Sequence, residues 1–274
     1  TYLDKALKLK DRVTSVNHII VLEDESKSES YQSYRELKAK EGIIEVRERD
    51  WNELAVLTYT SGTTGIPKGV MTTFHNLTFE VDTLLKQIKL ERTETTISIL
   101  PLSHLLELVG GFLCTLYSGG KIAYINSLFP QDILQAMKDQ SANRMLAVPL
   151  FFQMVKKQIE KNINKSPKVN RVIFWILFNV ISPVAPLSIR RKIFKKIHIE
   201  FGGHLDYFMS GAAPLDIDTE IFFERIGLPI LQGYGLTETS PVASVNTKSH
   251  RKKGTVGRPL PETEIKILDD GEIL

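Results

Sequence analysis

The sequence predicts an α/β fold of layered, parallel-rich sheets covered by helices, with the start of a small β subdomain at its C-terminal end. Three observations carry this. Short apolar runs alternate with longer stretches of helical periodicity, the pattern of strands joined by crossover helices. Glycine- and hydroxyl-rich segments follow several of those runs, at the carboxyl ends where such sheets bind ligands. From about Thr263 the spacing turns to alternation, Glu264-Ile265-Lys266-Ile267-Leu268, and then Asp269-Asp270-Gly271, as in a strand and a tight turn.

Taken in order, residues 1–12 form a charged helical pattern without the apolar stretch of a secretory signal. Strands are predicted at 18–22, 54–59, 96–100, 121–125, 144–148, 205–209 and 228–231, and helices at 77–88, 105–117, 130–140, 150–159 and 217–226. Residues 23–50 are polar and charged, a surface connection with some helix. The chain has no initiator methionine and stops on what reads as a strand just starting, so it is read as an internal excerpt.

A chain of 274 residues buries one sizeable core or two lobes sharing a boundary. Its 42% hydrophobic and 24% charged residues exclude a disordered, collagen-like or coiled-coil protein. The formal net charge of +3 is small, and no nucleic-acid partner is expected. The single cysteine, Cys114, cannot form an intrachain disulfide, which suits a reducing, cytoplasmic compartment. In its apolar surroundings Cys114 reads as a buried small hydrophobe rather than a nucleophile.

The strongest chemical signal is Tyr59-Thr60-Ser61-Gly62-Thr63-Thr64-Gly65-Ile66-Pro67-Lys68-Gly69. Glycines let successive backbone N–H groups converge on an anion, hydroxyls add donors, and Lys68 adds a full positive charge. Such a loop suits a polyphosphate. It is not a Walker A loop, which needs glycine before the lysine and Ser or Thr after it. A second segment, Leu100-Pro101-Leu102-Ser103-His104-Leu105-Leu106-Glu107, follows a strand and offers His104 as either a structural or a catalytic group. A third, Ser210-Gly211-Ala212-Ala213-Pro214, is compatible with close approach of a flat ligand and equally with a tight strand-to-helix turn. In the fourth, Gln232-Gly233-Tyr234-Gly235-Leu236-Thr237-Glu238-Thr239, Tyr234 offers a stacking face. Thr237 offers a phosphate donor and Glu238 a hard oxygen for Mg²⁺.

These four segments, in this order and spacing, resemble the adenylate-forming (AMP-binding) superfamily of acyl-CoA synthetases, peptide-synthetase adenylation domains and luciferases. The form Pro-Leu-Ser-His-x-x-Glu is similar to the long-chain fatty-acid–CoA ligase branch in particular. Weaker echoes are Val148-Pro149 and Gly257-Arg258-Pro259-Leu260-Pro261. Leu150, where such ligases often have arginine, and Phe74 before His75-Asn76 depart from the pattern.

The resemblance implies ATP-dependent activation of a fatty acid to its acyl-adenylate, followed by transfer to coenzyme A. Thr60, Ser61, Gly62, Thr63, Thr64, Gly65 and Lys68 would hold the β and γ phosphates. His104 would stand beside the carboxylate and α-phosphate, and Gly211, Ala212 and Ala213 along the adenine and the acyl carboxylate. In the fourth segment, with its turn Gly233–Gly235, Tyr234 would lie on adenine, Thr237 on the α-phosphate and Glu238 on Mg²⁺. Residues 1–262 would form a partial adenylating N-terminal domain and 263–274 the start of a β subdomain. The ribose-binding Asp, the hinge and the C-terminal domain with its catalytic lysine would lie beyond Leu274. Two alternatives stand beside this reading: a ligase for another acid or a carrier-protein acceptor, and a truncated nucleotide-binding protein without turnover.

One further stretch is unusual. No charged residue falls between Val172 and Ile189, and Arg190, Arg191, Lys192, Lys195 and Lys196 follow. Pro183 and Pro186 would break a spanning helix. Either 172–181 is a buried helix of the core or acyl tunnel followed by a basic solvated face, or the stretch from Val172 to Lys196 is a peripheral patch at the inner face of a membrane.

Overall fold

The structure, a computed structural model, describes residues 2–22, 30–40, 42, 47–60, 66–125 and 127–274. The chain divides into two compact units, Thr1–Glu48 and Arg49–Leu274. The first holds helix α1 (Tyr2–Arg12), strands β1 (Ile20–Val21) and β2 (Gln32–Ser33) paired in parallel, and helix α2 (Tyr34–Lys38). Asp4 in the first turn of α1 and Lys10 and Arg12 in its last suit the helix dipole.

The second unit opens with β3 (Leu54–Thr60) and β4 (Lys68–Thr73), an antiparallel hairpin with Thr60 opposite Lys68. The strand–helix alternation places the first of these in a parallel sheet. The second apolar run follows too closely for that, since a parallel crossover needs a dozen or more residues. Helix α3 (Phe74–Gln87) starts directly from the hairpin. Thr73 Oγ1 accepts the Asn76 N–H at 3.2 Å and Asn76 Oδ1 accepts the Thr73 N–H at 3.0 Å, a reciprocal cap.

Then come β5 (Thr95–Ser98), a π-helical turn Glu107–Leu113 running into α4 (Cys114–Tyr117), β6 (Lys121–Tyr124), α5 (Pro130–Asp139) and β7 (Arg144–Ala147). Helix α6 (Pro149–Asn164) follows, then α7 (Lys168–Ile176) with a π-helical extension Leu177–Ile181, α8 (Leu187–Ile193) and α9 (Lys195–Glu200). The chain returns to the sheet through β8 (Tyr207–Ser210), α10 (Ile217–Arg225), β9 (Ile230–Tyr234), β10 (Ser244–Val245) and β11 (Arg258–Pro259).

The sheet runs β11-β10-β9-β8-β7-β5-β6. Strands β6, β5, β7, β8 and β9 are parallel, and β10 and β11 add antiparallel edges. All four residues of β5 and of β7 are buried, as expected of strands covered on both faces. The core is aromatic: Phe152, Phe208 and Phe223 pack edge-on at 5.2–5.7 Å. Arg144, fully buried on β7, is satisfied by the Thr96 and Thr115 hydroxyls and, at 3.3 Å, by Glu94, as a buried guanidinium requires. At the end of the chain, Lys266 and Leu274 exchange backbone hydrogen bonds of 2.9 and 2.8 Å around Gly271 at φ +87°, the hairpin that the alternation predicts.

The buried-helix reading of 172–181 does not hold. No residue of α7 or of its π-helical extension is buried, and none lines the pocket described next. Only Phe174, Leu177 and Phe178 pack on the core, so a segment apolar all round uses one stripe of itself.

Candidate active site

Four chain segments converge on one cavity of about 880 Å³. The β3–β4 hairpin supplies its first wall. Because Thr60 ends β3 and Lys68 begins β4 in register, both line the cavity at the turn end of the hairpin. Ser61, Gly62, Thr63, Thr64 and Gly65 lie outside the described residues.

The segment after β5 supplies His104. A turn closed by the His104 N–H on the Pro101 carbonyl at 3.0 Å leads into a helix, and the imidazole is exposed at that helix's start, on the cavity. Three residues on, Glu107 points the other way. It is 1% exposed, and one carboxylate oxygen accepts the Ser98 hydroxyl at 2.6 Å. Burial raises its pKa from the ordinary carboxylate value, and the Ser98 hydrogen bond pulls it partly back. A Cβ on Gly111 would fall on this carboxylate. Glycine there leaves room for the acid inside the π-helical turn, a form of backbone frequent at functional sites.

After β8 the chain turns at Gly211 and Ala212, both on the cavity. Ala212 has φ +67°, a left-handed conformation uncommon for a residue with a side chain. Ser210 just before it was not singled out from the sequence. Its hydroxyl is buried, lines the cavity and has no hydrogen-bond partner among the described residues, so it is free to bond an incoming polar group. Ala213 is not among the lining residues.

The end of β9 and the segment after it bring Gly233, Tyr234, Gly235, Thr237 and Glu238 to the same wall. A Cβ on Gly235 would fall on the Pro241 carbonyl oxygen and lie 2.8 Å from the carbonyl carbon, so only glycine lets the two chain passes touch. A 3-10 turn, Thr237–Thr239, follows. The Leu236 N–H donates to Thr239 Oγ1 at 2.8 Å, which presents Glu238 to solvent at the cavity.

Among the described residues no group of three or more His, Cys, Asp or Glu side chains could hold a metal ion. A single carboxylate fits Mg²⁺ nonetheless, because that ion usually takes one or two carboxylates, substrate phosphates and waters.

The other end of the cavity is apolar and was not legible as a pattern. Leu84, Leu85 and Ile88 line it from α3, Leu106 and Cys114 from the following helical stretch, and Leu146 from β7. Gly110 also lines it, and a Cβ there would lie 3.7 Å from Leu146. Cys114 is buried as expected. Burial pushes its thiol up to about 12, the Arg144 charge pulling the other way, so it is wall rather than nucleophile.

Behind this wall, and not lining the cavity, is Glu80 of α3, 3% exposed. Its Oε1 accepts the Val242 N–H at 2.9 Å, which fixes α3 to the chain just past Glu238.

A parallel-rich α/β sheet with glycine-rich turns at its strand ends, a lysine at the turn end of a hairpin and one carboxylate on the same cavity is an arrangement suited to a nucleotide's phosphates. The chain belongs to the AMP-binding enzyme family, whose model matches residues 1–274. Within it, the chain is 34% identical over 230 residues to fatty acyl-CoA synthetase B of Dictyostelium discoideum, covering 80% of this chain and 34% of that protein. It is 31% identical over 260 residues to the chloroplastic long-chain-fatty-acid–[acyl-carrier-protein] ligase AEE15 of Arabidopsis thaliana, covering 80% of this chain and 35% of that one. The chain thus spans about a third of the length of the curated relatives it matches. Among solved structures, the anthranilate CoA ligase AuaEII in complex with anthranoyl-AMP superposes with a TM-score of 0.71 at 15% identity, over all of this chain and 46% of that one. At that identity the likeness is one of fold.

Proposed function

We propose that this chain is the adenylating part of an AMP-forming ligase that activates a long-chain fatty acid. The observation that carries the reading is the union, in one cavity, of a phosphate-binding end and an apolar end. An amphiphile with a carboxylate head fits both at once.

In this reading the apolar end seats the acyl chain and leaves the carboxylate near His104 and Ser210. A carboxylate oxygen attacks the α-phosphorus of ATP, the bond to the bridging oxygen breaks, and pyrophosphate leaves. Negative charge spreads over phosphate oxygens during this step, so positioned donors supply most of the acceleration. Lys68 and Thr60 address the β and γ phosphates, Thr237 the α-phosphate, and Tyr234 stacks on the adenine. Glu238 would hold Mg²⁺, which when bound neutralises phosphate charge. Transfer to a thiol, whether of coenzyme A or of a carrier protein, completes the reaction. The names of the relatives divide between those two acceptors.

The test is acid-dependent ATP–pyrophosphate exchange by the intact protein, without a thiol, across short, long, aryl and amino acids. Exchange confined to long-chain acids supports the reading. Exchange with another acid keeps the adenylation and overturns the substrate. Exchange with none, by folded protein, favours a nucleotide binder without turnover.

A further inference from the structure

The segment that failed to bury itself has a second peculiarity. From Lys161 to Ile199 there are nine lysines and arginines and no aspartate or glutamate, in a chain whose net charge is only +3. The excess of cations is therefore local.

The helix is held from within by a single stripe. Phe174 and Phe178 stack at 5.4 Å, and Phe178 packs on Phe222 at 5.4 Å. Leu177 packs inward with them, while Trp175 is 59% exposed, Val180 57% and Val184 86%, and Val172, Ile173 and Ile176 are exposed too. Two of the nine cations turn inward, Arg190 to Glu224 and Arg191 to Asp206, each at 2.8 Å. The other seven are exposed and form no salt bridge among the described residues. Lys168, Arg171, Val172 and Trp175 line one groove, together with Glu160. In this groove cations and apolar side chains are interleaved, two cations outnumbering the one carboxylate.

We infer that this face docks on an anionic lipid surface. A protein partner would select apolar area with charges of either sign at the rim. Here the rim is cationic over 39 residues, which complements a uniformly negative surface. Apart from Trp175 the exposed apolar side chains of this face are aliphatic, which suits acyl chains better than stacked bases. A tryptophan at the boundary is the side chain that interfacial binding favours. No helix among the described residues is long and apolar enough to cross a membrane, so the contact is peripheral. The inference is independent of which acid the pocket takes.

Flotation of the intact protein with vesicles decides it. One set is phosphatidylcholine alone, and the other contains phosphatidylglycerol as the anionic component. Two variants are compared with the parent, Trp175→Ser/Val180→Ser/Val184→Ser and Lys192→Glu/Lys195→Glu/Lys196→Glu, all at exposed positions. Their folding is checked by unchanged ATP binding. The parent should float with the anionic vesicles and not with the neutral ones, and lose that binding in high salt. Each variant should float at least about tenfold less. A parent that stays in solution with anionic vesicles overturns the inference, and so do variants that float as well as the parent. Acrylamide quenching of Trp175, isolated by difference from Trp175→Phe, should show it accessible without vesicles. A shielded Trp175 would mean that another segment or a second copy covers the face, and would overturn it too.

Discussion

At its polar end the pocket takes its side chains from segments a few residues long: Thr60 and Lys68 from one hairpin, and Tyr234, Thr237 and Glu238 from the end of β9 and the turn after it. At its apolar end the wall comes from separate elements, with Leu84 on α3, Cys114 in α4 and Leu146 on β7. The first kind of surface is local chemistry held in place by a sheet. The second exists only once helices have packed. Each end should therefore answer to a different kind of substitution, the polar end with losses common to every acid and the apolar end with losses that depend on chain length.

The largest expected effect is at the polar end. Lys68→Ala removes the one full positive charge that lines the cavity among the described residues and should lower the exchange rate about 100- to 1,000-fold, by the same factor for short and long acids. A loss that grew with chain length would place Lys68 at the acyl site and break the division. Next is Gly235→Ala. Its Cβ would meet the Pro241 carbonyl, backbone against backbone, so relief requires moving a chain pass and not a side chain. About 1–3 kcal/mol of stability should be lost, read from the urea midpoint, together with ATP binding. An unchanged midpoint would show that the two passes separate freely.

The two ends also differ in what the amino-acid sequence discloses. Lys68, Tyr234, Thr237 and Glu238 stand in short segments whose residue types state their chemistry, and all four reach the cavity. Strand–helix alternation predicts the parallel strands although β5 (Thr-Thr-Ile-Ser) and β7 (Arg-Met-Leu-Ala) bury polar residues, because short apolar runs between helical stretches remain legible around them. Leu84 and Leu146 carry no such mark, because an apolar residue facing a cavity looks like one facing the core. The same ambiguity misplaced 172–181. An apolar run predicts burial, and only the packing shows that Phe174, Leu177 and Phe178 satisfy it while Trp175 and Val180 do not. Ser210 was passed over because the turn that leaves its hydroxyl without a partner is a tertiary fact.

A smaller effect sharpens the comparison from the apolar side. Gly110→Val adds atoms where only Leu146 stands in contact range, at 3.7 Å, so the new side chain fills the cavity without displacing backbone. Use of long acids should fall about tenfold to a hundredfold in kcat/KM, while short acids change little. An equal fall for all acids would indicate that the acyl chain runs elsewhere.

The smallest effect concerns Glu80, the residue that ties α3 to the chain after the 3-10 turn. Glu80 sits on the helix that walls the apolar end and accepts the N–H of Val242, a few residues past Glu238. Burial pushes its carboxyl from 4.5 up to about 8, with the Val242 hydrogen bond pulling it partly back. Below pH 4.5 the acid is protonated in both folded and unfolded chains. Between 4.5 and about 8 the folded chain holds a proton that the unfolded chain has released, so its contribution to stability falls as pH rises across that window. Above it the folded protein keeps a buried carboxylate at full cost. Glu80→Gln retains an oxygen for the Val242 N–H and cannot ionise. The variant should therefore lose less melting temperature than the parent between pH 6 and pH 9, with exchange activity at pH 6 nearly unchanged. Parallel melting curves would show that Glu80 is already ionised at pH 6. A variant that melted normally but lost exchange at pH 6 would show that the tie between α3 and Val242 needs the acid's proton, and would give the pocket's polar end a dependence on its apolar wall.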